Sequence, residues 1–290
     1  MSTKHENWFK AAFDFRGSVL SRIRTPVLVS LIYAIAIKLL YNHFPIIHQP
    51  ILGTLIPGIV LGLLLVFRTN TAYERFWEGR KLVGKILILG RNLARQVFVN
   101  VPEKTPEIIH TKKKILRLIP VFFGAGILHL RREPIDPQLE SLLSLEQIQE
   151  LQPLNHLPLR VAKWISVELQ QLYQRSLIDT VQLTEYNNLI DQMVECLTGC
   201  ERVLSTPMPK AYAIHLKHLL GIYCLVLPFQ IVKDLGWGSV IATGIITFAL
   251  LGIEAIGLEI ENPFGYDYND IPLNKIYQRL RDDIEELIND

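Results

Sequence analysis

Four stretches of mostly apolar residues limit what this chain can fold into. They are residues 27–44, 51–67, 212–232 and 240–259. Each approaches the roughly 20 residues that a helix needs to cross a bilayer core. They come as two pairs, and the links within the pairs, residues 45–50 and 233–239, are short. The stretch between the pairs, Arg68 to Lys210, is much more polar. Lys38 lies toward the far end of the first segment, where its stem can snorkel. His215, Lys217 and His218 weaken the start of the third. The fourth contains Glu254, an intramembrane carboxylate of the kind that is normally functional or paired.

Charge gives these segments a direction. Lys4, Lys10, Arg16, Arg22 and Arg24 precede the first, Arg68, Arg75, Arg80 and Lys81 follow the second, and Lys210 precedes the third. The link 45–50 has no Lys or Arg. The positive-inside rule therefore places both termini and the middle region in the cytoplasm. Hydrophobic residues make up 49% of the 290, yet 20% are charged, so a sizeable aqueous part accompanies the apolar segments. The competing reading is a soluble helical protein with buried apolar helices. It has to place four such segments, with a consistent charge asymmetry, in one core. The N-terminus lacks the apolar core of a signal peptide, which favours a bacterial inner membrane, with a thylakoid as the alternative. Trp8, Phe9, Phe13 and Phe15 suit a membrane interface.

The middle region reads as helix throughout. "RKLVGKILILGRNLARQVF" carries apolar residues at helical spacing. It continues the second segment without a Gly between Gly62 and Gly79 or a Pro between Pro57 and Pro102, so one long helix is expected from apolar segment to charged rod. Pro120 and the length of its segment argue for a buried helix rather than a fifth span. Ser144 with Gln147 offers a capping box, and Thr184 is a plausible N-cap for the helix that contains Cys196 and Cys200. The expected organisation is an N-terminal segment and first transmembrane hairpin (1–67), a cytosolic helical region (68–211), a second transmembrane hairpin (212–259), and a C-terminal loop and helix (260–290).

Several chemistries are excluded. Net charge is +2, too weak to argue for nucleic acid. The three cysteines, Cys196, Cys200 and Cys224, lack the spacing of a disulfide framework or zinc site and read as inert thiols. No nucleotide-binding, serine-hydrolase or zinc-protease motif occurs. Glu74 and Glu78 share a helix face, but Arg75, Arg80 and Lys81 lie among them, so ion pairing is the simpler reading. The eight histidines show no metal-ligand spacing, and His215 and His218 have no third ligand nearby. An enzyme is not expected.

Four motifs, "FDFRGSVLSRI", "FRTNTAYERFWEGRKLVG", "GCERVLSTPMPKAY" and "NPFGYDYNDIPLN", resemble the bestrophin family in its bacterial and chloroplast branch. They occur in the family's order and span nearly the whole chain. The resemblance implies an all-α integral membrane protein with four membrane helices and a helical cytosolic region, assembled as a homopentamer around one pore. The permeating ions, the lipid bilayer and further copies of the chain would be its partners. It aligns the pore's apolar neck with Ile59, Leu63 and Phe67. Spaced i, i+4, i+8, these form one stripe on a helix, which periodicity alone would assign to lipid or packing. An apolar constriction can gate by dewetting. The resemblance also places a cytosolic aperture near Leu183 and Thr184. It implies a channel for small monovalent ions, chloride or another anion being the preferred reading. A sodium or potassium channel of the same fold, and a secondary transporter, are the alternatives. Animal members clasp calcium with an acidic cluster and an N-terminal backbone carbonyl. Glu259, Asn262, Asp267 and Asp270 match that cluster roughly, and their oxygens suit the ion. Their interrupted run equally reads as helix capping and ion pairing, with no cofactor required.

Overall fold

A computed structural model describes residues 17–47 and 55–289. The aromatics at positions 8, 9, 13 and 15 and the first residues of the second apolar segment lie outside that range. The described residues are helical and contain no strand. The helices are α1 (Leu20–His43), α2 (Leu55–Asn100), α3 (Pro106–Arg131), α4 (Pro137–Glu140), α5 (Leu145–Leu151), α6 (Leu157–Gln174), α7 (Thr180–Ser205), α8 (Lys210–Leu235), α9 (Gly238–Glu259) and α10 (Leu273–Asn289). A short 3₁₀ turn, Pro45–Ile47, follows α1. The chain divides into two compact units, and the division falls within α2, after Phe76. As its sequence predicts, α2 runs unbroken for 46 residues, from apolar segment into charged rod.

The first unit holds α1, the start of α2, α8 and α9. α1 packs along α9, and α8 contacts both. The inward stripe of α1 is Ile23, Ser30, Ala34 and Ile37, at helical spacing. Ser30 Oγ and Thr247 Oγ1 are hydrogen-bonded at 3.0 Å, satisfying two hydroxyls that would otherwise be costly to bury. Gly244 lets α9 approach α1 closely, since a Cβ there would lie 2.6 Å from Leu31 Cδ2. Lys38 is buried, and its ammonium donates to Asn42 Oδ1 at 2.8 Å, one turn toward the helix end. α1, α8 and α9 are each long and apolar enough to cross a membrane. They also leave large apolar side chains exposed, among them Leu28, Ile32, Ile222, Leu225, Ile241 and Ile245. That much exposed apolar surface is what a lipid-facing helix requires. The remaining sequence-predicted span, 51–67, begins outside the described residues.

The second unit is built around α3, which is buried almost continuously from Ile115 to Leu130 and packs against α6, α7 and α10. This is the buried helix expected from Pro120. α10 is strongly two-faced. Leu273, Ile276, Tyr277, Leu280, Ile284 and Ile288 point inward, while Asp283 and Glu285 pair with Arg91 and Arg117 at the surface. The Ser144–Gln147 capping box is present on α5. Thr184 is not a cap. α7 starts a turn earlier, where Asp179 and Gln182 form the reciprocal box. The acceptor side chain is charged, and the residue three positions on can bond back to its N–H, so this start satisfies two end groups at once.

Candidate functional site

α2 presents two opposite faces within the first unit. Leu61 and Leu65 are buried in a cluster with Leu216 and Leu220 of α8. Half a turn away, Ile59, Leu63 and Phe67 are exposed at 61%, 55% and 57%. The three sequence-predicted neck residues thus share one face, and within the single chain that face is uncovered. An exposed row of Ile, Leu and Phe is costly in water. It needs lipid, another copy of the chain, or a narrow enclosed passage beside it.

Arg68 follows Phe67 by one residue but turns the other way. Its side chain is only 1% exposed, and its Nη2 lies 3.6 Å from Glu261 Oε2. The same carboxylate accepts from the Met208 backbone N–H at 3.0 Å, and Arg75 donates to the Glu261 carbonyl. Glu261 therefore ties α2 to the segments before α8 and after α9. Arg68 opens the run of basic residues that follows the second apolar segment, and exposed residues of that run would raise local anion concentration. Its burial and pairing remove it from that role, while Arg80 and Lys81 remain exposed. Nothing local in the sequence marks which carboxylate of "EIEN" meets a buried guanidinium. Glu78 does ion-pair, at 2.9 Å, but with Arg202 of α7 rather than along its own helix.

The four acidic-loop residues are divided between the units. Glu259, Asn262 and Asp267 belong to the first unit and Asp270 to the second. Glu259 Oε1 accepts a 2.6 Å hydrogen bond from the Asn269 amide, which also donates to the Gly17 carbonyl at 3.0 Å. Gly17 adopts φ +73, and a Cβ there would lie 2.3 Å from the Tyr268 ring, so only glycine fits. A carboxylate and an N-terminal carbonyl therefore converge, as in a cation clasp, but an amide donor sits between them. A calcium ion, which needs six to eight free oxygens, does not fit there without displacing Asn269.

Leu183 closes the first turn of α7 and Thr184 begins the second. Thr184 is exposed, and its hydroxyl donates back to the Thr180 carbonyl at 2.8 Å. Glu254 is buried, and with Ser30, Tyr33, Lys217, Cys224 and Thr247 it lines a groove of about 430 Å³ among α1, α8 and α9. Burial pushes the Cys200 thiol up to about 12, and the Cys196 thiol is raised for the same reason. Both stay protonated and poorly nucleophilic at neutral pH, in keeping with the inert reading.

Residues 1–286 match the family model described as bacterial and fungal bestrophin protein. A voltage-dependent anion channel-forming protein of Nostoc sp. is 49% identical over 287 residues, covering 99% of this chain and 94% of that one. Another so named, from Synechocystis sp., is 46% identical, covering 97% and 92%. Among solved structures, a bacterial bestrophin homologue from Klebsiella pneumoniae superposes with a TM-score of 0.86 at 27% identity. That match covers 95% of this chain and all of the other.

Proposed function

This chain belongs to the bacterial and fungal bestrophin family, and on that premise we propose that it forms an anion channel in a membrane. The observation that carries the proposal is the end-to-end match to relatives named for anion-channel formation, at up to 49% identity. The exposed apolar stripe of α2 supports it, since a pore neck is one of the few environments such a row can occupy. In this reading five copies surround one pore. Each contributes four membrane helices, with the apolar start of α2 joining α1, α8 and α9, and both termini face the cytoplasm of a bacterial inner membrane.

Ile59, Leu63 and Phe67 from each copy form stacked apolar rings that an ion crosses only when the passage is wide enough to stay wet, or when the ion sheds part of its shell. The Leu61–Leu65 face is held by α8, and the Glu261 clamp on Arg68 fixes the helix just beyond Phe67. Leu183 and Thr184 supply the second aperture at the cytosolic end. Glu259 and Asn269 act as a metal-independent clasp on the N-terminal segment, so calcium is not required. The permeating species are small monovalent anions, chloride first. A second reading, a monovalent cation channel of the same fold, is favoured by the withdrawal of Arg68 from the pore and by the exposure of Glu74.

Assembly is the first test. Protein purified in mild detergent should have a mass five times the chain's 33.2 kDa, and in liposomes it should pass chloride. A monodisperse monomer with no flux would contradict the proposal.

A further inference from the structure

Three side chains far apart in sequence meet in the second unit. His129 comes from the last turn of α3, His156 from the N-cap of α6, and Glu201 from α7. Glu201 Oε1 lies 2.9 Å from His129 Nε2 and 3.0 Å from His156 Nε2, and the two rings are 4.4 Å apart. Among the described residues this is the group of three whose ligand atoms lie within 4.8 Å of one another. The three are half-buried. An open cleft of about 630 Å³, which Arg132, Glu133, Asn155 and Ser205 help to line, gives solvent a path to His129 and Glu201.

We propose that His129, His156 and Glu201 form a binding site for a divalent transition metal of the zinc class. Two imidazole nitrogens and one carboxylate oxygen are a donor set that suits zinc and does not suit magnesium or calcium. Zinc bonds of about 2.0–2.1 Å set tetrahedral ligand atoms roughly 3.3 Å apart. The two observed separations need to widen by only a few tenths of an ångström, and water from the cleft supplies the fourth position. This site is independent of the channel reading.

The proton arrangement gives the proposal a specific consequence. Without metal, His156 Nδ1 accepts the Leu159 N–H at 3.2 Å, so the proton of the neutral ring is on Nε2, where it is donated to Glu201. Binding metal needs the Nε2 lone pair. In both rings the Nε2 proton moves to Nδ1; at His156 the bond to the Leu159 N–H then breaks, and that N–H turns to water, which exposed Leu159 permits. The bonds formed are two metal–nitrogen and one metal–oxygen. Those lost are two N–H···O contacts and one helix cap. The metal thereby ties α3, α6 and α7 together while loosening the first turn of α6.

The test uses full-length protein in detergent, stripped with chelator and then titrated with Zn²⁺ by calorimetry and with Co²⁺ by visible absorption. One ion per chain is expected, with a tetrahedral Co²⁺ spectrum, and excess Mg²⁺ or Ca²⁺ should not compete. His156→Asn is the decisive variant, because asparagine caps a helix well but removes the metal ligand. H156N and E201Q should each weaken Zn²⁺ more than about tenfold with melting unchanged, while His110→Asn, at an exposed position, should bind as wild type. No binding by the wild-type chain, or wild-type affinity in H156N, would overturn the site.

Discussion

Replacing Glu261 by Ala should be among the most destabilising single changes in the first unit. Arg68 is 1% exposed, its one acidic partner is Glu261 at 3.6 Å, and its Nε and Nη2 make no hydrogen bond among the described residues. Removing the carboxylate leaves a guanidinium in the interior without a counter-charge, a loss of about 3–5 kcal/mol. The Met208 N–H also loses its acceptor. At roughly 2 °C per kcal/mol for a chain of this size, the melting temperature in detergent should fall by about 6–10 °C. The paired change Arg68→Met with Glu261→Gln removes both charges and keeps an acceptor for Met208, so it should recover most of that loss. Thermal unfolding followed by tryptophan fluorescence reads both. A shift below about 2 °C for E261A, or a double variant as damaged as the single one, would refute the idea that this carboxylate neutralises a buried charge.

Other consequences are equally direct. Replacing Ile59, Leu63 and Phe67 together by Ala should widen and wet the neck, giving larger or less gated single-channel currents, and unchanged conductance would remove those residues from the pore. Gly244→Val would drive a side chain into Leu31 and should cost roughly 1–3 kcal/mol, seen as a lower melting temperature. A maleimide should leave Cys196 and Cys200 unlabelled in the folded chain at pH 8 and label both after denaturation, as mass spectrometry can count. The hydrogen bond and charge of Lys112 hold the Glu103 carboxyl below the usual glutamate range. The pair therefore stabilises the fold above the carboxyl's unfolded pKa and stops doing so as pH falls through its lower folded value. Glu103→Gln should flatten that acid limb in a stability–pH profile.

Periodicity and capping chemistry made much of the fold legible. The unbroken α2, the buried α3 and the capping box at Ser144 all follow from local patterns that tertiary packing did not override. Thr184 shows where such reading stops, because Thr and Asp are both acceptable caps and only the reciprocal bond with Gln182 decides for Asp179. The functional features depend on longer range. Ile59, Leu63 and Phe67 could be placed on one face from spacing, but that Arg68 turns away from that face depends on Glu261, 193 positions on. His129, His156 and Glu201 have no spacing that signals a site, since three separate helices bring them together. In the sequence Asn269 looks like an interruption of an acidic loop, and its two acceptors, the Glu259 carboxylate and the Gly17 carbonyl, meet it only once the loop is folded.

Selective anion conduction is read from a reversal potential. Purified protein in a planar bilayer, with potassium chloride more concentrated on one side, should carry current that reverses close to the chloride equilibrium potential. The sign should persist when sodium replaces potassium and when calcium is chelated. A reversal potential close to that of the cation would exclude anion selectivity and establish the cation-channel reading in its place.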